Sequence, residues 1–576
     1  MTGPAAPKDP EKARPFFYIL KDKDIFGERQ KDGTGIQFIY ESDGRLINSA
    51  QITGNVTDKE ELLETVEGFG RLVHSIGVSV ETDRPEETAE FVFQMYGKKD
   101  LYGGGTNLTT SLKCDGMEHR IYLSDYRWTE DDHVPGQIKI LFAAPERMGK
   151  VSVRLFLNDG YEAPPEEEDL VIDMHSEEYC GMISRSLLQL GNPYRIRKAI
   201  EKSKAGKEVT LAYIGGSITQ GAGAIPIHTE CYAYKSFQLF QNRFSTQNNV
   251  RFIKAGVGGT PSELGMIRFD RDVLREGERP DIVVIEFAVN DEGDETKGVC
   301  YESLVRKVLK LPWKPAVVLL FSVFANDWNL QERLRPVGDL YDLPMVSILN
   351  AVTPQFSLKC GEGRILSKNQ FFYDIFHPNN TGHTIMADCL QYLFERCDAA
   401  EPARVGTFVE GMTEEQILSE KLSGPAVIGA DFERIFLLDK KNRYVGAKIR
   451  AGSFTSTDIE LQSVEMDGNL TQTPEFPYNW MYDGSRPQMP GFEMEITCKS
   501  LFLIFKDSGE MDVGKADVFV NDVYCMTADP HKNNWLHCNA VLLFWETESR
   551  SHKVRIAVTE EDRNKKFTIL GFGYTI

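Results

Sequence analysis

The chain has 576 residues, 41% of them apolar and 26% charged, an ordinary globular composition with material for about three or four domains rather than one core. Its 65 Lys and Arg against 86 Asp and Glu leave a formal charge of −21, which opposes binding to nucleic acid or to an anionic membrane surface. No stretch approaches the roughly 20 apolar residues that cross a bilayer, and the first residues lack a basic patch followed by an apolar run. The ten cysteines form no Cys-x-x-Cys pair and no Cys/His zinc spacing, so the expectation is a cytoplasmic protein with reduced, structural thiols and no metal.

In chain order, residues 1–188 read as an N-terminal β-sandwich. Segments 90–95, 120–123, 137–142 and 151–157 are short, aromatic or β-branched, and separated by Gly, Asp and Pro turns, with one helix expected within 58–74. The acidic run from Pro164 to Asp169 reads as a solvated connection. Residues 189–400 change character. Apolar runs at 209–214, 250–255, 281–287, 316–321 and 345–349 alternate with helical stretches at 231–244 and 382–394, the signature of a parallel sheet covered on both faces. A ligand site in such a sheet lies beyond the carboxyl ends of its strands. After a bridging segment, 401–425, β character returns: 458–464, 500–505, 516–520, 541–544, 553–558 and 567–572 suggest a second sandwich within 401–576.

Four motifs carry the chemistry. The strand at 209–214 runs into Gly215-Gly216-Ser217-Ile218-Thr219-Gln220-Gly221, which would leave the Ser217 hydroxyl exposed with backbone N–H groups free to face an anion. A P-loop is excluded because Ala222 follows Gly221, and the α/β-hydrolase elbow is excluded because Thr219 stands where glycine is needed; a plain strand-to-helix turn is the other reading. Tyr373-Asp374-Ile375-Phe376-His377-Pro378 puts a carboxylate three residues before an imidazole, close enough to orient it. Six residues on, His383 reads as a structural residue of the following helix. Gly256-Val257-Gly258-Gly259-Thr260 offers unobstructed backbone N–H groups, and Asn290-Asp291 offers a side-chain amide at a strand end.

In order and spacing over residues 207–398, these segments resemble the four blocks of the SGNH hydrolases, or GDSL-type esterases, and most nearly their carbohydrate O-acetylesterases of acetylxylan esterase type. Gly216 stands where the family often has Asp, and Ala288 where it has Gly. The resemblance implies a three-layer, flavodoxin-like α/β domain over 189–400, with Ser217 as nucleophile, His377 as base and Asp374 as third triad member. It also implies an oxyanion hole of the Ser217 N–H, the Gly259 N–H and the Asn290 side chain, and it requires no cofactor.

The resemblance further implies a serine esterase releasing acetate from acetylated oligosaccharides, most plausibly xylo-oligosaccharides. The alternatives are a lipid esterase or thioesterase, a sialic-acid or mannan O-acetylesterase on the same triad, and a non-enzymatic glycan-binding protein. The flanks would be jelly-roll-like, the C-terminal one resembling carbohydrate-binding modules. Trp328, Trp480 and Trp535 are candidate sugar platforms, with core or interface packing as the competing reading. The expected partner is the oligosaccharide, with neither nucleic acid nor membrane, and a homo-oligomer is left open. One sandwich is expected to wall the Ser217 site, while residues 425–576 are expected to be dispensable for turnover of a small ester.

Overall fold

Strands that are apolar on both faces can only be satisfied between two layers of helices, and the chain uses five of them in this way. The central sheet contains β1 (Leu187–Gln189), β2 (Val209–Gly215), β3 (Val250–Gly256), β4 (Ile282–Glu286), β5 (Ala316–Phe321) and β6 (Met345–Ser347), in the spatial order β1-β6-β5-β4-β2-β3. β2 to β6 are parallel, and β1 closes the edge antiparallel to β6. This computed structural model describes residues 3, 8–39, 45–99, 103–400, 412–468 and 471–576.

Alternation along β2 divides two cores. Leu211 and Tyr213 point into a layer built by the helices Tyr194–Lys204, Tyr232–Phe244 and Asn380–Ala399. Ala212 and Ile214 point into the opposite layer, with the helices Ser262–Phe269 and Val299–Leu309. That second core also takes in Phe432, Phe502, Ile504, Cys538 and Leu570 from the C-terminal region. The two domains therefore share one hydrophobic core. Removing residues 425–576 would expose the Ser262–Phe269 face to water, because the cut passes through a core rather than a linker.

The N-terminal region places a four-stranded and a five-stranded antiparallel sheet around a core of its own. The helix expected within 58–74 is a 3-10 turn, Glu60–Glu64, and a short helix, Val66–Leu72, after which the chain is already strand. The acidic run is exposed, as its charge demands, yet it is not merely a tether. Glu166 pairs with Lys21 at 2.7 Å and Glu167 with Arg364 at 3.0 Å, fastening the N-terminal region to the central domain.

In the C-terminal region eight strands form one continuous antiparallel sheet, beside a separate two-stranded one of Ser463–Glu465 and Gln472–Pro474. Phe492–Asp507 and His537–Val558 pair on both sides of a register shift near Cys498 and Ser500, one face on a core of this region and the other contributing Phe502, Ile504 and Cys538 to the shared core. The segments read as two strands at 541–544 and 553–558 belong to one strand, His537–Val558, in which the register shift skips the polar residues 546–549 between them. Part of the bridging segment, 401–411, lies outside the described residues; the rest contains a helix, Glu414–Ser423, with a Thr413 capping box. All ten cysteines are free thiols, and no helix among the described residues is long and apolar enough to cross a membrane.

Candidate active site

Ser217 opens the one-turn helix that follows β2, so its N–H has no intrahelical acceptor and its hydroxyl clears the sheet edge. The turn is seated by its neighbours. Lys254, fully buried on β3, donates to Gln220 O at 2.8 Å, and the guanidinium of Arg268 donates to Gly215 O at 2.7 Å and to Ala255 O at 2.6 Å, tying together the ends of β2 and β3.

The Asp374–His377 turn is built by its own carboxylate. Asp374 Oδ1 accepts from the N–H groups of Phe376 (2.8 Å) and His377 (2.9 Å), which closes the turn and leaves Oδ2 facing His377 Nδ1 at 2.9 Å. On the other side of the ring, Nε2 lies 2.9 Å from Ser217 Oγ. Nδ1 can hold its proton against the carboxylate while Nε2 takes the hydroxyl's, provided the ring is neutral. The loop is locked at its base, where Tyr373 N–H donates to His377 O and Asn379 N–H to Phe371 O, both at 2.8 Å, and Asn379 caps the long helix that follows.

Support for this loop also comes from the N-terminal strand Phe16–Phe26. Lys23 is buried, donates to Phe372 O, and lies in the field of Asp374. Burial lowers its ammonium to about 8, opposed first by the Asp374 charge.

Two further groups converge on Ser217. A Cβ built on Gly216 would fall 2.2 Å from Asn290 Oδ1 and 2.5 Å from Nδ2, which places the amide directly over the nucleophile turn. Gly258 lies beside Ser217, and its N–H donates to Gln220 Oε1 at 2.8 Å. Gly259 has φ +71°, a conformation suited to glycine, and a side chain there would strike His537 and Trp535. No acceptor among the described residues engages the N–H of Ser217, the N–H of Gly259 or Asn290 Nδ2, so all three donors remain available to an anion.

Beneath the site three carboxyl groups are buried. Burial pushes Asp291 up to about 8, partly offset by the Ser262 N–H it accepts, and pushes Glu286 and Glu263 up to about 7. Glu286 accepts from Thr219 Oγ1 at 3.0 Å. His383 is an internal brace: its Nδ1 accepts from Tyr232 N–H at 3.1 Å, its Nε2 meets Ala222 O at 3.1 Å, and burial lowers it to about 3.

The three tryptophans differ. Trp480 is packed in the C-terminal core, Trp328 is half-buried and stacks on Phe324 beside Phe376, and Trp535 stands at the oxyanion loop with 43% of its surface exposed. Gln220, Lys23, Gln462, His537 and Arg268 also support the site. Their type and spacing mark none of them except Gln220, which sits within the serine motif.

Residues 213–385 match the GDSL-like Lipase/Acylhydrolase family. No curated protein matches the sequence. Among solved structures, similar folds include a two-domain esterase, CEX, active on acetylated mannans, at 23% identity over 68% of this chain and 98% of that chain, with a TM-score of 0.55. The same esterase co-crystallized with mannopentaose matches at 24% identity, again over 68% and 98%, with a TM-score of 0.54. At these identities the likeness is one of fold. The central segment is similar to GDSL-like hydrolase domains, and the chain is an ester-hydrolysing serine hydrolase.

Proposed function

We propose that this hydrolase is a carbohydrate O-acetylesterase, releasing acetate from acetylated hemicellulose oligosaccharides inside the cell. The observation that carries the esterase chemistry is the continuous Asp374–His377–Ser217 chain, with two contacts of 2.9 Å, beside three unpartnered donors. Ser217 Oγ attacks the acetyl carbonyl as His377 Nε2 takes its proton; the resulting oxyanion sits among the Ser217 and Gly259 N–H groups and Asn290 Nδ2. Collapse breaks the bond between the acetyl carbonyl carbon and the sugar oxygen, leaving Ser217 acetylated, and His377 gives its proton to the leaving sugar oxygen. Water, deprotonated by His377, then attacks the acetyl-enzyme, and acetate leaves as Ser217 regains its proton.

The sugar half of the proposal rests on the half-exposed Trp535 at the oxyanion loop, an apolar face of the kind on which a pyranose ring stacks. Xylo-oligosaccharides are the substrate the sequence suggests. Manno-oligosaccharides are a second reading, favoured by the fold shared with a mannan-active two-domain esterase. Acetate release from a panel of acetylated xylo- and manno-oligosaccharides tests the choice. Turnover of neither, together with rapid hydrolysis of long-chain acyl esters, would transfer the site to lipid substrates.

A further inference from the structure

We infer that Gln462, a residue of the C-terminal domain, is a positioning residue that aims the Gly259 N–H at the oxyanion, so that this domain completes the machinery for the bond-breaking step. The inference rests on the reading of Ser217 as the acylated residue and of Gly259 as an oxyanion donor.

The geometry is elementary. A peptide unit is planar and trans, so its C=O and N–H point in opposite directions, and whatever fixes the Gly258 carbonyl fixes the direction of the Gly259 N–H. Gln462 Nε2 donates to Gly258 O at 2.9 Å. Gln462 is 7% exposed and its side chain is held at its other end, where Oε1 accepts from Cys538 N–H at 3.0 Å; a flipped amide would lose both bonds. The next peptide is held from the same domain: His537 Nε2 lies 3.0 Å from Gly259 O, while Asn533 Nδ2 lies 3.2 Å from His537 Nδ1. Donation from Nε2 and acceptance at Nδ1 require the neutral ring, the form that burial favours.

This clamp is needed because of what glycine does. With φ at +71° in 259 and no side chain at 258 or 259, the loop has few conformational restraints of its own. Within the central domain only Gln220 Oε1, accepting from Gly258 N–H, holds this pair of residues among the described hydrogen bonds. The two bonds that set the outward-facing carbonyls come from residues more than 200 positions away.

The test uses the full-length protein. Gln462→Ala and, as a second variant that keeps a ring of similar shape, His537→Phe are assayed for kcat and KM on an aryl acetate, for inhibition by phenylboronic acid, whose tetrahedral adduct places an anionic oxygen where the reaction does, and for thermal unfolding. The account expects kcat to fall about 10- to 100-fold with KM within about threefold, and the inhibition constant for the boronic acid to rise by a similar factor, in at least one folded variant. It is overturned if both folded variants retain kcat within about threefold, if KM rises instead, or if kcat falls while boronic acid inhibition is unchanged. Fluorophosphonate labelling of Ser217 in the wild type, lost in Ser217→Ala, reports separately on the nucleophile.

Discussion

Asn290 and Asp291 are neighbours with opposite duties. The amide of Asn290 is the one oxyanion donor that can be removed without touching the backbone, so Asn290→Ala should lower kcat by about 10²–10³ with little change in KM, measured on an aryl acetate. A raised KM with intact kcat would make it a substrate-positioning group. Asp291 is structural, and its buried carboxyl, held up to about 8, carries a pH signature. Unfolded, it releases its proton in the ordinary carboxylate range; folded, it keeps the proton until about pH 8. Between those limits the native state binds more protons than the unfolded one, so stability falls as pH rises and levels off above. Glu286 and Glu263, at about 7, act with the same sign. The melting temperature should therefore drop between about pH 5 and about pH 8, and Asp291→Asn, which keeps the acceptor for Ser262 N–H, should shrink that drop. An unchanged drop would exclude Asp291 as a contributor.

At the scale of elements, the strand Phe16–Phe26 does more than complete a sandwich, since its Lys23 holds Phe372 O two residues before Asp374. Lys23→Met should cut kcat on a small ester about tenfold through a loosened Asp374–His377 turn, with folding retained in circular dichroism. Unaltered kcat would show that the loop is held by its own hydrogen bonds. Nothing in the sequence marks this lysine. The segments that could be read, such as 209–214, 250–255 and 316–321, are those where apolar content alone dictates a doubly buried strand. The motif residues Ser217, Asp374 and His377 could be singled out because each sits in a local pattern with its own chemical logic, and the structure brings their side chains into one hydrogen-bonded chain. Lys23, Gln462 and His537 could not be, because their partners lie hundreds of residues away and depend on how domains dock. The single long strand His537–Val558 was hidden for a related reason: its polar residues 546–549, skipped at the register shift, read as a turn, and only the pairing on either side of them joins the two halves.

Seen whole, the molecule braces its site from two sides. The N-terminal domain supports the Asp374–His377 loop through Lys23, and the C-terminal domain holds the Gly258–Gly259 carbonyls while setting Trp535 at the mouth. Trp535→Ala should raise KM for an acetylated oligosaccharide several-fold while leaving kcat/KM for an aryl acetate within about twofold, because a stacked ring binds the sugar rather than the reacting ester. Equal loss on both substrates would make Trp535 a prop for the oxyanion loop instead. The central claim, that Ser217 deacetylates oligosaccharides, is tested most directly by following acetate release by NMR from acetylated xylo- and manno-oligosaccharides with the wild-type protein and with Ser217→Ala. The account predicts acetate release by the wild type from at least one of these sugars and background release by the variant. Release that persists in a folded Ser217→Ala protein, or a wild type inert towards every acetylated sugar, would contradict it.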